Sequence, residues 1–252
     1  MTIHLVIPDQ HAHPDYSNER ADLLSKLILD VKPDVVINIG DGADMASLSS
    51  YDKNKRSFQG RTYKADIDAH LDFQNRIWEP IYRRKRRLPH TIYFIGNHEQ
   101  RIEKALDLSP ELEGSIGMGD LQLHQWYDDI VPYEGGTPGV TTVDGILYSH
   151  YFISGVKGLP IGGEHPADSL VTKTFMSATS GHLHLADYSI RTTGNGKKLM
   201  GSFVGCYQDY DAPWAGESNR LWWRGVLIKH NVFEGVYDPQ FVSLETLRKE
   251  YS

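Results

Sequence analysis

Along the first hundred residues, apolar positions fall into short runs separated by stretches of helical period. Ile3 to Ile7 is a short, mostly apolar run closed by Pro8, and Val35 to Ile39 is a β-branched run ending at Gly40; both have the make-up of buried parallel strands. Between them, Asn18 to Val31 sets Ala21, Leu24, Leu27 and Ile28 at helical spacing, so the chain is expected to open strand, helix, strand. Residues 65–87 carry a second, longer helical pattern ending in the basic run Arg83-Arg84-Lys85-Arg86-Arg87, with Pro80 expected to kink or split it. Thr91 to Ile95 predicts a third strand ending at a glycine, Glu99 to Leu108 a third helix, and Pro110 to Gly119 a loop.

The pattern then changes. Val140 to Val143 and Ile146 to Tyr148 flank Asp144-Gly145, a pair that favours the type I′ turn of a hairpin. Ser189 to Thr193 and Lys198 to Phe203 flank Asn195-Gly196 in the same way, and Val226 to Lys229 with Val232 to Tyr237 flank another turn. One helix, near Asp168 to Phe175, interrupts these strands. Strands that still alternate with helices predict an α/β fold with two packed sheets covered by helices, not one open sheet. No segment reads as a linker, so residues 1–252 are expected to form a single domain, with a basic insertion at about 50–87.

Composition narrows the setting. Hydrophobic residues make up 40% of the chain and charged residues 23%, with no low-complexity tract, the balance of a chain that buries a core. The opening MTIHLVIPDQH has no basic leader, and no apolar run approaches the about 20 residues of a membrane span. The single Cys206 excludes an internal disulfide, and the expected location is cytoplasmic, with no membrane contact. A net charge of −7 argues against a general nucleic-acid binder. Yet eleven basic residues face only four acidic ones between Lys53 and Arg87, a local +7 that leaves −14 for the remainder. That asymmetry points to contact with nucleic acid or nucleotide, although a basic run at a helix C-terminus is also what the helix dipole favours.

Five clusters of potential ligands lie at predicted strand ends: Asp9-Gln10-His11, Gly40-Asp41-Gly42-Ala43-Asp44, Gly96-Asn97-His98-Glu99, His150, and Gly181-His182-Leu183-His184. In Asp9-x-His11 and His182-x-His184 the two ligands stand two apart, so an extended chain points both to one side. Glycines before Asp41, Asn97 and His182 allow sharp turns off a strand. Carboxylate oxygen mixed with imidazole, and no thiolate, suits Mn²⁺, Fe or Zn²⁺ and excludes a structural cysteine–zinc site. Taken singly, Asp and Asn at strand ends are also ordinary turn and capping residues.

Together the five segments resemble the pattern of the calcineurin-like metallophosphoesterase superfamily, D-x-H, G-D-x-x-D/N, G-N-H-D/E, a lone H, and G-H-x-H, in its stand-alone bacterial or phage-type form. The match is complete and in order from residue 9 to residue 184. The resemblance implies a four-layer α/β/β/α sandwich of two mixed sheets flanked by helices. It implies that Asp9, His11 and His184 bind one divalent ion, most readily Mn²⁺, that Asn97, His150 and His182 bind a second, and that Asp41 bridges them. Two ions about 3.5–4 Å apart clamp a phosphate and generate hydroxide for in-line attack on phosphorus. His98 then corresponds to the family's proton donor to the leaving group, and Asp44 to the residue that orients it. Glu99 stands where many members have Asp.

The implied activity is hydrolysis of phosphate esters. The basic insertion leans this towards phosphodiesters of nucleic acid or nucleotides, and the Gly-Asn-His-Glu form of the third motif towards phosphomonoesters of proteins or small molecules. A binding module that keeps metals for structure is the alternative from another class. Arg101, one helical turn from His98, is a candidate phosphate contact or a plain surface residue, and His13 a candidate substrate contact. Otherwise His13, like His4 and Asp15, is expected to be an ordinary surface or loop residue. The aromatic segment Tyr207 to Trp223 is suited either to stacking bases and shaping the site or to packing in the core.

Overall fold

The computed structural model describes residues 1–84 and 87–252. Its first half runs β1 (Thr2–Ile7), α1 (Arg20–Val31), β2 (Val35–Asn38), α2 (Tyr63–Tyr82), β3 (His90–Phe94), α3 (Arg101–Leu108) and β4 (Asp129–Val131). The four strands lie side by side and parallel, the arrangement that α1 and α2 make possible as crossovers. Thr62 caps α2 by accepting the Ala65 N–H at 3.3 Å. Pro80 does not split this helix as expected. It lies in the last turn, so its missing N–H is felt only where the helix ends, at Tyr82 rather than residue 87. Arg83 is the C-cap, and Lys85 and Arg86 of the expected helix end lie outside the described residues. The expected loop from Pro110 contains short 3-10 turns at Pro110–Leu112 and Met118–Leu121.

The second half contains β5 (Tyr133–Glu134), β6 (Thr137–Pro138), β7 (Thr141–Val143), β8 (Ile146–Ser149), β9 (Ile153–Ser154), β10 (Leu159–Pro160), α4 (Pro166–Thr174), β11 (Ser177–Ser180), β12 (Ala186–Thr192), β13 (Lys198–Val204), β14 (Gly225–Phe233), β15 (Val236–Ser243) and α5 (Leu244–Tyr251). One sheet has the order β15-β14-β1-β2-β3-β4 and a second the order β12-β13-β11-β8-β7, both mixed. The hairpins at Asp144-Gly145 and Asn195-Gly196 both form, the first with positive φ at both residues as a type I′ turn requires, the second with positive φ at Gly196 and not at Asn195, closed by Thr193 N–H to the Lys197 carbonyl at 2.9 Å. The last one does not turn after Lys229: β14 runs on to Phe233, absorbs a register shift after His230, and turns at Glu234 and Gly235 with φ of 49° and 85°. Positive φ at both central residues is what a two-residue hairpin turn requires, and Gly235 supplies it without strain.

Alternation along the strands separates the packing. Leu5, Ile7, Val36, Tyr93 and Ile95 join the core formed with α1, α2 and α5. Their neighbours Val6, Val35, Ile37, Ile92 and Phe94 join Ile146, Tyr148, Met200 and Val204 of the second sheet. Ala167 and Leu170 of α4 pack with Ala178 and Phe203. The fold is therefore mixed α/β with two mixed sheets sharing a buried layer. His4 is not a surface residue: it is fully buried in β1, with Nδ1 2.9 Å from the Tyr148 hydroxyl and Nε2 3.0 Å from Asp144 Oδ2. Among the described residues, no helix is long and apolar enough to cross a membrane.

Candidate metal centre

β1, β2 and β3 are parallel, as are β8 and β11, so the segments after each group leave their sheet at one edge. Those segments carry Asp9 and His11, Asp41 and Asp44, Asn97 and His98, His150, and His182 and His184. All of them converge. Asp9, His11 and His184 form one group, Asp41, His150 and His182 a second, and His11, Asp41 and His98 a third, with donor atoms inside each group within 4.8 Å of one another. Asn97 joins the second group, its Oδ1 3.0 Å from His150 Nε2. Asp41 and His11 each belong to two groups, so the groups are continuous.

Backbone geometry explains the glycines differently from the sequence expectation at two of three positions. Gly40 does take a left-handed φ of 100°. Gly96 and Gly181 do not, and their role is close approach: a Cβ on Gly96 would lie 2.1 Å from Asp41 Oδ1, and one on Gly181 2.5 Å from Asp9 Oδ1. The left-handed conformation falls instead on His11, Asp41, His182 and His184, with φ of 45°, 52°, 69° and 60°. Such values are uncommon outside glycine and persist only where surroundings enforce them. Here the first two loops are tied together by His11 N–H to Asp41 O at 2.9 Å and Ala12 N–H to Gly42 O at 2.8 Å.

A second tie was missed in the sequence. Glu99 is fully buried. Its Oε2 accepts the N–H groups of Asp41 at 3.0 Å and Gly96 at 2.9 Å, and its Oε1 accepts the Ala43 N–H at 3.0 Å and the Tyr93 hydroxyl at 2.8 Å. One carboxylate thus fixes the loop of Asp41 against the loop of Asn97. Its signal was an acid directly after two site residues; its role depends on a tyrosine six positions away and a loop 58 away.

The imidazoles are oriented from behind. His150 Nδ1 meets the Ile39 carbonyl at 2.9 Å and must donate to it, which turns Nε2 towards Asp41 Oδ2 at 3.3 Å. His11 Nδ1 meets Asp44 Oδ1 at 3.0 Å, so its Nε2 faces His184 Nε2 at 3.1 Å. His184 Nε2 is also 3.3 Å from Asp9 Oδ2. Burial works to raise the pKa of Asp41 and of Asp44, but His150 and His98 around Asp41, and His11 and His98 around Asp44, hold both well below the usual carboxylate range. Burial works to lower His150, yet Asp41 and Asp9 raise it to about 9; burial, with the charge of His150, lowers His182 to about 4. Among the described residues, the only salt-bridge partners of Asp9 and Asp41 are histidines.

His98 N–H donates to Asp41 Oδ1 at 2.9 Å, and its Nδ1 lies 2.7 Å from the Asp44 carbonyl and 3.0 Å from Asp44 Oδ1. Asp44 therefore serves His11 as well as His98. Arg101 reaches the site: its NH1 donates to the Asp44 carbonyl at 2.8 Å, and its NH2 lies 3.1 Å from His98 Nε2. Burial and Arg101 push His98 down, while Asp41 and Asp44 outweigh them and leave its pKa raised. His13 is buried beside this group, with Nε2 3.8 Å from Asp44 Oδ2 and Nδ1 accepting the Asp15 N–H at 3.1 Å.

The aromatic segment divides. Tyr207 is buried and its hydroxyl donates to the Arg20 carbonyl, whereas Tyr210 donates to the His11 carbonyl at 2.8 Å. Trp222 lies edge to face with His184, ring centres 4.4 Å apart. In the basic insertion much of the excess charge is met locally: Lys55 and Arg61 pair with Asp52, Lys64 with Asp68, Arg76 with Asp22 and Asp72, Arg83 with Glu79, and Arg87 with Asp34. Compared with models of known protein families and with curated proteins, the chain matches none.

Proposed function

We propose that the chain is a metal-dependent phosphoric ester hydrolase of the calcineurin-like kind, a single domain with the four-layer α/β/β/α sandwich of that superfamily. One observation carries the reading. Seven donors from five separated segments meet in one cluster whose buried carboxylates, Asp9 and Asp41, have among the described residues histidines as their salt-bridge partners and no lysine or arginine. Burying carboxylates without cations is expensive, and divalent ions are the charge this donor set fits. Asp9, His11 and His184 would hold one ion, Asn97, His150 and His182 the other, with Asp41 between them. Two such ions supply the positive charge that polarises a phosphate and activates water.

The remaining steps belong to side chains. His98 is held through Nδ1 by Asp44, which leaves Nε2 as the atom that carries a proton to a leaving oxygen. Arg101 beside Nε2 offers N–H donors to a phosphate oxygen.

For substrate, exposed Lys53 and Arg56 on the segment that continues from Asp44 support a phosphodiester of nucleic acid or nucleotide type. Arg101 supports a second reading, since a fixed guanidinium at the site suits the extra charge of a monoester. With Mn²⁺ added, bis(4-nitrophenyl) phosphate and 4-nitrophenyl phosphate separate the two, and exclusive monoester turnover would remove the first. Asp41→Asn is expected to abolish hydrolysis of both. Undiminished turnover by that variant would sink the assignment, and metal binding without any hydrolysis by the wild type would replace it with a binding module.

A further inference from the structure

Outside the ligand cluster, the segment after Tyr210 contains an aromatic arrangement that neither core packing nor the two-metal chemistry explains. Trp214 is 65% exposed, although tryptophan is among the side chains that gain most from burial. It packs on Trp222 with ring centres 5.8 Å apart, and Trp222 in turn meets His184 at 4.4 Å. The two indoles thus form a continuous aromatic strip running outwards from a proposed metal ligand.

This strip is held rigidly. Asn219 is buried and staples the turn that carries Trp214: its Oδ1 accepts the Ala212 N–H at 2.9 Å, and its Nδ2 donates to the carbonyls of Ala212 at 2.9 Å and Gly216 at 2.8 Å. Gly216, with φ of 50° and ψ of −127°, makes the sharp bend within this turn. At the other end the Trp223 N–H donates to the His184 carbonyl at 2.9 Å, fixing the strip to the ligand loop itself. The nearby Glu217 and Arg220 pair with each other at 2.8 Å, which leaves the strip without net charge. A fixed, uncharged, exposed aromatic surface is pre-organised to stack a flat ring at little entropic cost.

We propose that Trp214 and Trp222 form a stacking subsite for a planar, nucleobase-sized ring carried by the phosphate ester bound at the metal centre. The proposal rests on the phosphoester reading of that centre and narrows it to ring-bearing esters. Nucleotidyl groups meet the requirement, because their base lies a sugar's length from phosphorus and every base has a π-face.

The test compares two phosphonates whose carbon–phosphorus bonds are not hydrolysed. Methylphosphonate probes the metal centre alone, and 9-[2-(phosphonomethoxy)ethyl]adenine adds a tethered base. Calorimetric titration of the Mn²⁺-loaded protein is expected to give the adenine compound at least about a tenfold advantage, the scale of one base on an aromatic side chain. Trp214→Ala should reduce that advantage to near unity and leave methylphosphonate affinity alone, and Trp214→Phe should keep most of it. Because Trp214 is largely exposed, its replacement leaves the core untouched. An advantage that is absent in the wild type, or unchanged in Trp214→Ala, overturns the subsite while leaving the metal centre standing. If neither phosphonate binds, the phosphoester reading fails and takes the subsite with it.

Discussion

Replacing Glu99 by Gln tests the claim that one buried carboxylate holds two ligand loops in register. The carboxylate accepts four hydrogen bonds, three of them from the backbone of Asp41, Ala43 and Gly96. Glutamine has nearly the same shape but only one acceptor oxygen. If its NH₂ replaces Oε2, the N–H groups of Asp41 and Gly96 each face another donor; if it replaces Oε1, the Ala43 N–H does, while the Tyr93 hydroxyl can reverse and accept. The better orientation still loses one charge-assisted bond and leaves one buried N–H unpaired. Bonds to charged groups are worth about 1.5–3 kcal/mol and an unsatisfied buried donor about 1–3 kcal/mol, so a loss of about 3 kcal/mol is expected. For a chain of 252 residues that is a fall in Tm of about 6–12 °C. Urea unfolding of the metal-free protein is the assay, because it reads the loops without any contribution from bound ions. Mn²⁺ affinity should fall too, since the ring of donors depends on where Asp41 sits. A Glu99→Gln protein within 1 kcal/mol of wild type, with unchanged slope against urea, would refute the role given to Glu99.

Two further perturbations probe other parts of the structure. In Gly96→Ala the new methyl group would start 2.1 Å from Asp41 Oδ1, so Asp41 must move; we expect about 2 kcal/mol of destabilisation and at least about tenfold weaker Mn²⁺ binding, and wild-type affinity by calorimetry would contradict the close-approach argument. His4, which burial lowers to about 4 against the partial opposition of Asp144, binds its proton less readily folded than unfolded. Its contribution is therefore complete above pH 6.5 and is lost as pH falls from 6.5 through 4, up to about 3 kcal/mol. Thermal melts of wild type and His4→Asn between pH 7 and 4.5 should show the steeper decline in wild type, and parallel declines would show that His4 titrates normally.

What the sequence revealed and what it hid follow from the range of the interactions involved. Asp9, His11, Asp41, Asn97 and His150 were legible because each follows closely on a strand whose end is marked locally by an apolar run or a glycine, whereas His182 and His184 were legible through their own Gly-His-x-His spacing. Their convergence needed only parallel strands and a shared edge. Ser177–Ser180 was not legible as a strand, because its Ser-Ala-Thr-Ser side chains lack the apolar signal. It is nonetheless buried between β8 and β13 beneath α4, where small side chains leave room for the helix. The turn at Glu234 and Gly235 lost out to an apparent break after Lys229, which the strand absorbs as a register shift. His4 looked like a loop residue because a lone imidazole in an apolar run gives no hint of Tyr148 and Asp144, more than a hundred positions away.

The parts that escaped the sequence are those that hold the ligands in an unfavourable conformation. Four proposed ligands adopt left-handed backbone geometry, which costs a non-glycine residue of order 1–3 kcal/mol. That strain persists only because nearby groups leave the backbone no alternative. Arg20 is one such group: buried in α1, its guanidinium donates to the carbonyls of Gln10 at 2.8 Å and Ser17 at 2.6 Å, and its Nε to that of Tyr207 at 3.0 Å, with Asp209 at 3.2 Å balancing its charge. It thereby joins the first ligand loop to the aromatic segment, from which Tyr210 donates to the His11 carbonyl. Glu99 does the same between the second and third loops, and the Ile39 carbonyl joins the two sheets through His150. Arg20 and Glu99 use their charge on backbone groups, not on ligands. Among the described residues, the carboxylates of Asp9 and Asp41 are thus left with imidazoles as salt-bridge partners, beside the backbone N–H groups of His182 and His98. A scaffold that fixes strained ligands and, among the described residues, sets no lysine or arginine against those carboxylates is suited to a cation, and a bound ion would add to the stability of the site.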